Sequence, residues 1–144
     1  MNLVGFMKRY GPLVGRLLLA SIFIIAGLEK IAGFDGTVKF MASKGLPMVN
    51  LLLVATIMIE LGGGLLIALG WHARRGALAI FLFIIPVTLV FHAFWTFEGA
   101  EYTHQMHSFL KNLAIMGGML YIMAAGSGRY SLGSGDESAS LTRI

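Results

Sequence analysis

Four long apolar runs, each interrupted by only a few polar side chains, set the pattern of the chain: 13–31, 48–69, 77–97 and 109–125. Each approaches or exceeds the roughly twenty residues with which an α-helix crosses about 30 Å of hydrocarbon at about 1.5 Å per residue. Membrane β-strands would be about half as long and would alternate in polarity, which none of these runs does. The pattern predicts an all-α fold, an integral membrane antiparallel four-helix bundle over residues 1–126. A Gly/Ser-rich tail over 127–144 has the composition of a mobile segment. Lys8 and Arg9 precede the first run in the manner of a signal peptide, but the run is too long and contains Arg16, so it reads as a retained helix. Pro12 suits that helix's first turn, where its missing N–H costs nothing.

The connections carry their own signals. Between the first two runs, Asp35 fits an N-cap, Gly45 a C′ residue and Pro47 a stop. Phe34, Val38 and Met41 share one face there, so a short interfacial helix is expected, with Lys39 and Lys44 reaching toward headgroups. A tight turn, 70–75, joins the second and third runs. The third connection, 98–106, is polar and acidic.

Composition agrees with lipid as the solvent. The chain is 57% hydrophobic and 12% charged, against about 25% charged in soluble domains, and its mean hydropathy is +0.80. The net charge of +4 is scattered between apolar runs rather than gathered on a polar face, which argues against nucleic acid as a partner and for the bilayer. Lys8, Arg9, Arg74, Arg75, Arg129 and Arg143 fall on the side of the termini, opposite Lys30, Lys39 and Lys44, so both termini are expected in the cytoplasm. The sequence holds no cysteine. That excludes disulfides, thiolate metal sites and covalent haem attachment, and leaves any redox role to a bound cofactor or an oxidoreductase partner.

Candidate chemistry lies in the polar residues of the apolar runs. An ionisable group at a helix centre costs about 2.5–3.5 kcal/mol on insertion scales, so it normally faces the bundle interior and a partner. Lys30, Glu60, His92, Lys111 and Asn112 converge in the half away from the termini and predict one polar pocket. Thr88, His92 and Trp95 at i, i+4 and i+7 add a wall to it. Arg16, Ala20, Phe23, Gly27 and Lys30 share a face of the first helix, while Glu29 points to the membrane rim. Pro86 frees the carbonyl of Leu82 and predicts a kink below His92. The structural alternative is that Arg16 or Lys111 neutralises Glu60 and only fixes helix register. Imidazole beside an aromatic wall suits a quinone head group, as against a satisfied core histidine. His104 and His107 at i, i+3 could hold a divalent metal if that segment is helical, although the composition is ordinary for a polar loop. Met116, Met119 and Met123 read as apolar filling rather than a copper site.

Several short motifs stand in order along the chain: Gly27-Leu28-Glu29-Lys30, Phe34-Asp35-Gly36-Thr37-Val38, Gly45-Leu46-Pro47, Glu60-Leu61-Gly62-Gly63-Gly64, Leu69-Gly70-Trp71 with Arg74, His92, Lys111-Asn112, and Gly126-Ser127-Gly128-Arg129-Tyr130-Ser131-Leu132. In that order and spacing they resemble the DoxX family of small bacterial membrane proteins. The family's usual acidic residue after Ser-Leu is here Gly133. The resemblance implies four membrane helices in the bacterial cytoplasmic (inner) membrane, and for some members a link to quinone-dependent oxidation. The resulting expectation is an accessory of a membrane redox system with a pocket for a quinone or small oxidisable solute. A non-catalytic scaffold and a small solute or metal carrier are the alternatives, and the sequence leaves room for a homo-oligomer.

Overall fold

Asn2 opens the first helix, its Oδ1 accepting the N–H of Gly5 at 2.8 Å, and the computed structural model, which describes residues 2–133, carries that helix from Leu3 to Ala32 (α1). The start lies ten residues before the apolar run, so Pro12 sits inside α1 and not in its first turn. A proline there removes one backbone hydrogen bond, which a capped helix tolerates. The apolar run marks hydrocarbon, not where backbone pairing begins. Its buried face is Arg16, Ala20, Phe23 and Gly27, the face expected from spacing.

After the turn at Gly33, Phe34–Ser43 forms the short α2. Asp35 stands in its first turn, and Gly33 takes the N-cap place assigned to Asp35. Gly45 follows with φ +75, a conformation that favours glycine after a helix end. Met41 is buried and Phe34 and Val38 half-buried against the bundle. Val49–Leu69 (α3) and Ala73–Phe91 (α4) follow, then a single 3₁₀ turn, Phe94–Thr96, and Gly99–Ala125 (α5). Two boundaries differ from the apolar runs. The third helix stops at Phe91 rather than at 97, because 19 residues already match the hydrocarbon thickness. The fourth begins at Gly99, so the polar connection is helical. Glu101 in the first turn complements the helix dipole, and Gln105 one turn on donates to its Oε1 at 2.6 Å.

α1, α3, α4 and α5 are long and apolar enough to cross a membrane. They pack antiparallel in the order α1, α3, α4, α5, with only slight contact between α1 and α5. Ala20, Phe23, Ile67, Ile80, Ile84 and Met119 form the centre of the core. Leu18, Ile25, Leu51, Met58, Leu82 and Leu89 lie exposed on the outside. Large apolar surface of this kind is unusual facing water and ordinary facing lipid.

The α3–α4 seam depends on absent side chains. A Cβ on Gly76 would lie 2.9 Å from the carbonyl oxygen of Gly63 and 2.9 Å from Cβ of Leu66, close approach that only glycine allows. Gly76→Ala should therefore lower stability in detergent by about 1–3 kcal/mol, the range of overpacked cores. Gly117→Ala, with nothing within 4 Å of the added Cβ, is the control in the same thermal melts. Equal melting temperatures for both variants would remove the seam from the account.

The start of α1 and the end of α5 lie at one end of the bundle, here the terminal end; α2 and the 3₁₀ turn lie at the other, the distal end. The first residues of the stretch expected to be mobile, 127–133, are tied down. Arg16 is 4% exposed and donates to the backbone oxygens of Ala68, Ser127 and Tyr130. Leu132 N–H bonds Leu69 O at 3.1 Å, and the Tyr130 ring stacks on Tyr10. The Arg9 guanidinium donates to the Tyr130 hydroxyl at 2.7 Å and holds that phenol below its usual range. The rest of the tail, with Arg143, lies outside the described residues.

Candidate functional site

Glu60 stands near the middle of α3, 6% exposed. Its partner is Lys30 near the distal end of α1, neither Arg16 nor Lys111. Lys30 Nζ donates to Oε1 at 3.1 Å and lies 2.9 Å from Oε2, which meets no other donor. A lysine can do this because its long stem lies along apolar surface while the ammonium reaches the carboxylate. The same ammonium sits 3.4 Å from the oxygen of Ala26.

His92 ends α4, its N–H bonding the oxygen of Thr88 at 3.0 Å. Its ring turns to α5, where Nδ1 lies 2.8 Å from Oε1 of Gln105. Gln105 in turn donates from Nε2 to Glu101, and His104 Nδ1 is 3.9 Å from the same carboxylate oxygen.

These groups border one cavity of about 460 Å³ at the distal end. α1 contributes Lys30, α3 contributes Thr56 and Glu60, and α2 contributes Thr37, Phe40, Met41 and Lys44. Phe83, Val87 and Phe91 come from α4, His92 and Phe97 from the segment after it, and Glu101, His104 and Gln105 from the first turns of α5. The Phe40 and Phe91 rings stack at 5.6 Å. Lys44 was expected to reach headgroups; its Nζ lies over the Phe40 and Phe97 rings at 5.7 and 5.8 Å. The space is therefore an apolar, aromatic chamber holding one buried ion pair and one oriented imidazole. Chambers of that make-up suit a flat ring with one or two polar substituents.

The DoxX family model matches residues 11–93. The chain belongs to the DoxX family. Among relatives, it is 35% identical over 120 residues to the inner membrane protein YphA of Escherichia coli (strain K12), covering 83% of this chain and 86% of YphA. It is 39% identical over 126 residues to the inner membrane protein YqjF of the same organism, covering 88% of this chain and 92% of YqjF. A shorter match, 39% over 64 residues, covers 44% of this chain and 46% of CatD from Bacillus subtilis (strain 168), whose name contains the word oxidoreductase. No solved structure matches the chain.

In this DoxX chain the residues assigned to one pocket do not all meet. Lys30, Glu60 and His92 meet at the cavity. Thr88 and Asn112 lie in the core beneath it and satisfy each other, Asn112 Nδ2 donating to Thr88 Oγ1 at 2.9 Å. Lys111 is exposed, because adjacent helical residues point about 100° apart and Asn112 takes the inner face. Trp95 is 57% exposed and edge-on to Phe94 and Phe109. It leaves the line of Thr88 and His92 because the α-helix ends before it. Arg16, assigned as a structural charge, meets the carbonyl oxygens of Ala68, Ser127 and Tyr130 rather than Glu60. His104 borders the cavity while His107 is exposed and does not. No three His, Asp or Glu side chains gather as a metal site among the described residues. Phe40, Phe97, Glu101 and Gln105 were not foreseen. Only the placing of Glu101 and Gln105 four apart could have signalled a helix there.

Proposed function

We propose that this chain is an inner-membrane accessory of a redox system whose distal cavity holds a quinone or a small oxidisable solute. The carrying observation is Glu60, a carboxylate almost wholly buried and paired with Lys30, sharing an aromatic chamber with an oriented His92. Intramembrane ionisable groups are costly, and where they adjoin a cavity they mark a working site more often than packing glue. Four helices suited to crossing a bilayer, the names of YphA and YqjF, and the word in the name of CatD support location and redox context. The cations Lys8, Arg9, Arg74, Arg75 and Arg129 of the terminal end support a cytoplasmic position for both termini. In this reading Glu60 is counter-ion and proton acceptor and His92 a hydrogen-bond partner of the bound oxygen. An oxidoreductase subunit supplies the electron acceptor, since the cysteine-free chain has no thiol chemistry of its own.

The test is extraction in mild detergent followed by mass spectrometry of co-purified small molecules. A quinone or related ring should accompany the wild-type chain. His92→Ala should lose at least about tenfold of it, as expected for about 1.4 kcal/mol of hydrogen bonding, at an unchanged melting temperature. A chain that carries no such molecule, with His92→Ala merely less stable, would support the scaffold reading instead.

A further inference from the structure

The polarity of the hydrogen bonds around the cavity can be read outward from Glu101. A carboxylate only accepts, so the group 2.6 Å from its Oε1 is the NH₂ of Gln105. The opposite amide orientation would set two acceptors against each other. The other end of that amide, Oε1, then faces Nδ1 of His92 at 2.8 Å and must accept from it. The neutral imidazole is thereby fixed with its proton on Nδ1, leaving Nε2 with a lone pair. His92 is an acceptor toward anything else it meets, not the donor that its proximity to a pocket first suggests.

Glu60 adds a second acceptor. Its Oε2 is buried and meets only the Lys30 ammonium, at 2.9 Å, so this carboxylate oxygen keeps capacity for a further donor. The cavity thus presents the free lone pair of His92 and the spare acceptor capacity of Glu60, in an aromatic chamber bordered by Phe40, Phe83, Phe91 and Phe97, while the ammonium groups that line it are engaged, Lys30 with Glu60 and Lys44 over the Phe40 and Phe97 rings. A quinone, whose oxygens only accept, satisfies neither. Its reduced form carries O–H donors on the same flat ring.

We propose that the cavity selects the hydroquinone form of its ring ligand over the quinone, with an O–H donated to Nε2 of His92 or to the carboxylate of Glu60, and that Gln105 and Glu101 are positioning residues that set the polarity of His92. This rests on the cavity being a ring-binding site at all. Selective binding of the reduced form raises the midpoint potential of the bound couple, by about 30 mV for each tenfold preference. The cavity would then retain hydroquinone and release quinone.

Two measurements on the detergent-solubilised chain test this. Equilibrium dialysis compares trimethylhydroquinone, trimethylquinone and the dimethyl ether of the hydroquinone, which keeps the ring and loses both donors. The hydroquinone should bind at least about tenfold more tightly than either of the others. Nitrogen-15 NMR of labelled histidine, with His92 assigned by its loss in His92→Asn, should show under mildly alkaline conditions a protonated Nδ1 and a bare Nε2. Glu101→Gln removes the fixed acceptor, and Gln105→Met breaks the chain. In both, the fixed tautomer and the preference for hydroquinone should be lost while the melting temperature holds. Equal binding of all three probes, tighter binding of the quinone, or a proton on Nε2 would overturn the polarity argument while leaving a ring site in place. Binding of none of the three would overturn the ring site with it.

Discussion

Arg16→Leu should cost about 2–4 kcal/mol of stability in detergent and free residues 127–133 from the bundle. The guanidinium is 4% exposed and supplies donors to the oxygens of Ala68, Ser127 and Tyr130. Two of these belong to the segment after α5 and one to the last turn of α3, so a single side chain joins the tail to a helix end. Leucine fills most of the volume but leaves three carbonyl oxygens without their donor, each worth about 1–3 kcal/mol where water cannot replace it. The site lies at the end of the bundle, so water recovers part of that loss, and the sum stays below three full penalties. Lysine should restore only part, because one ammonium cannot reproduce the planar fork that reaches three oxygens. Close approach sharpens the requirement: a Cβ on Gly70 would lie 3.0 Å from Cζ of Arg16 and would overlap Cβ of Ser131. Thermal melts together with limited trypsin cleavage at Arg129 check both halves. Arg16→Leu with wild-type melting and an uncut Arg129 would mean that stacking of Tyr10 on Tyr130 holds the segment instead.

The fold was legible because lipid imposes a length. Four apolar runs of helix-spanning size leave few alternatives to a bundle, and i, i+4 spacing picked out the buried face of α1 from Arg16 to Gly27. What apolar runs could not mark is where a helix is held by caps and polar pairs outside the hydrocarbon. Asn2 and Glu101 therefore extend α1 and α5 beyond the runs, and His92 ends α4 within one. The site was legible in part for the same reason. Depth along each helix brought Lys30, Glu60 and His92 together, because depth is set by the membrane. Azimuth failed twice. Lys111 and Asn112 share a depth but not a face, and Trp95 lost its register once the helix ended. The remaining walls come from α2 and from the polar start of α5, whose packing is decided by tertiary contact rather than by any period in the sequence. Pairing was the hardest to read: the sequence offered Arg16 or Lys111 for Glu60, and the partner is Lys30, which reaches the carboxylate along α1.

That pairing makes a prediction of its own. Lys30→Met should cost about 3–5 kcal/mol, the usual penalty for leaving one charge of a buried pair alone. Glu60→Gln should cost less, since Lys30 is the more exposed partner, with 28% of its side chain accessible against 8% for Glu60, and its ammonium can swing toward the distal surface. The double variant, Lys30→Met with Glu60→Gln, should recover most of the loss seen in Lys30→Met alone, because two neutral groups of similar size replace the pair and no buried charge remains. Denaturation of the three variants in one detergent closes the cycle, with an expected coupling of at least about 1 kcal/mol. Additive losses would mean that the two side chains do not sense each other. The cycle also separates stability from binding. If the ion pair serves a ligand rather than the fold, the double variant melts near wild type yet no longer retains the ring molecule. Recovery of both would assign the pair to packing alone.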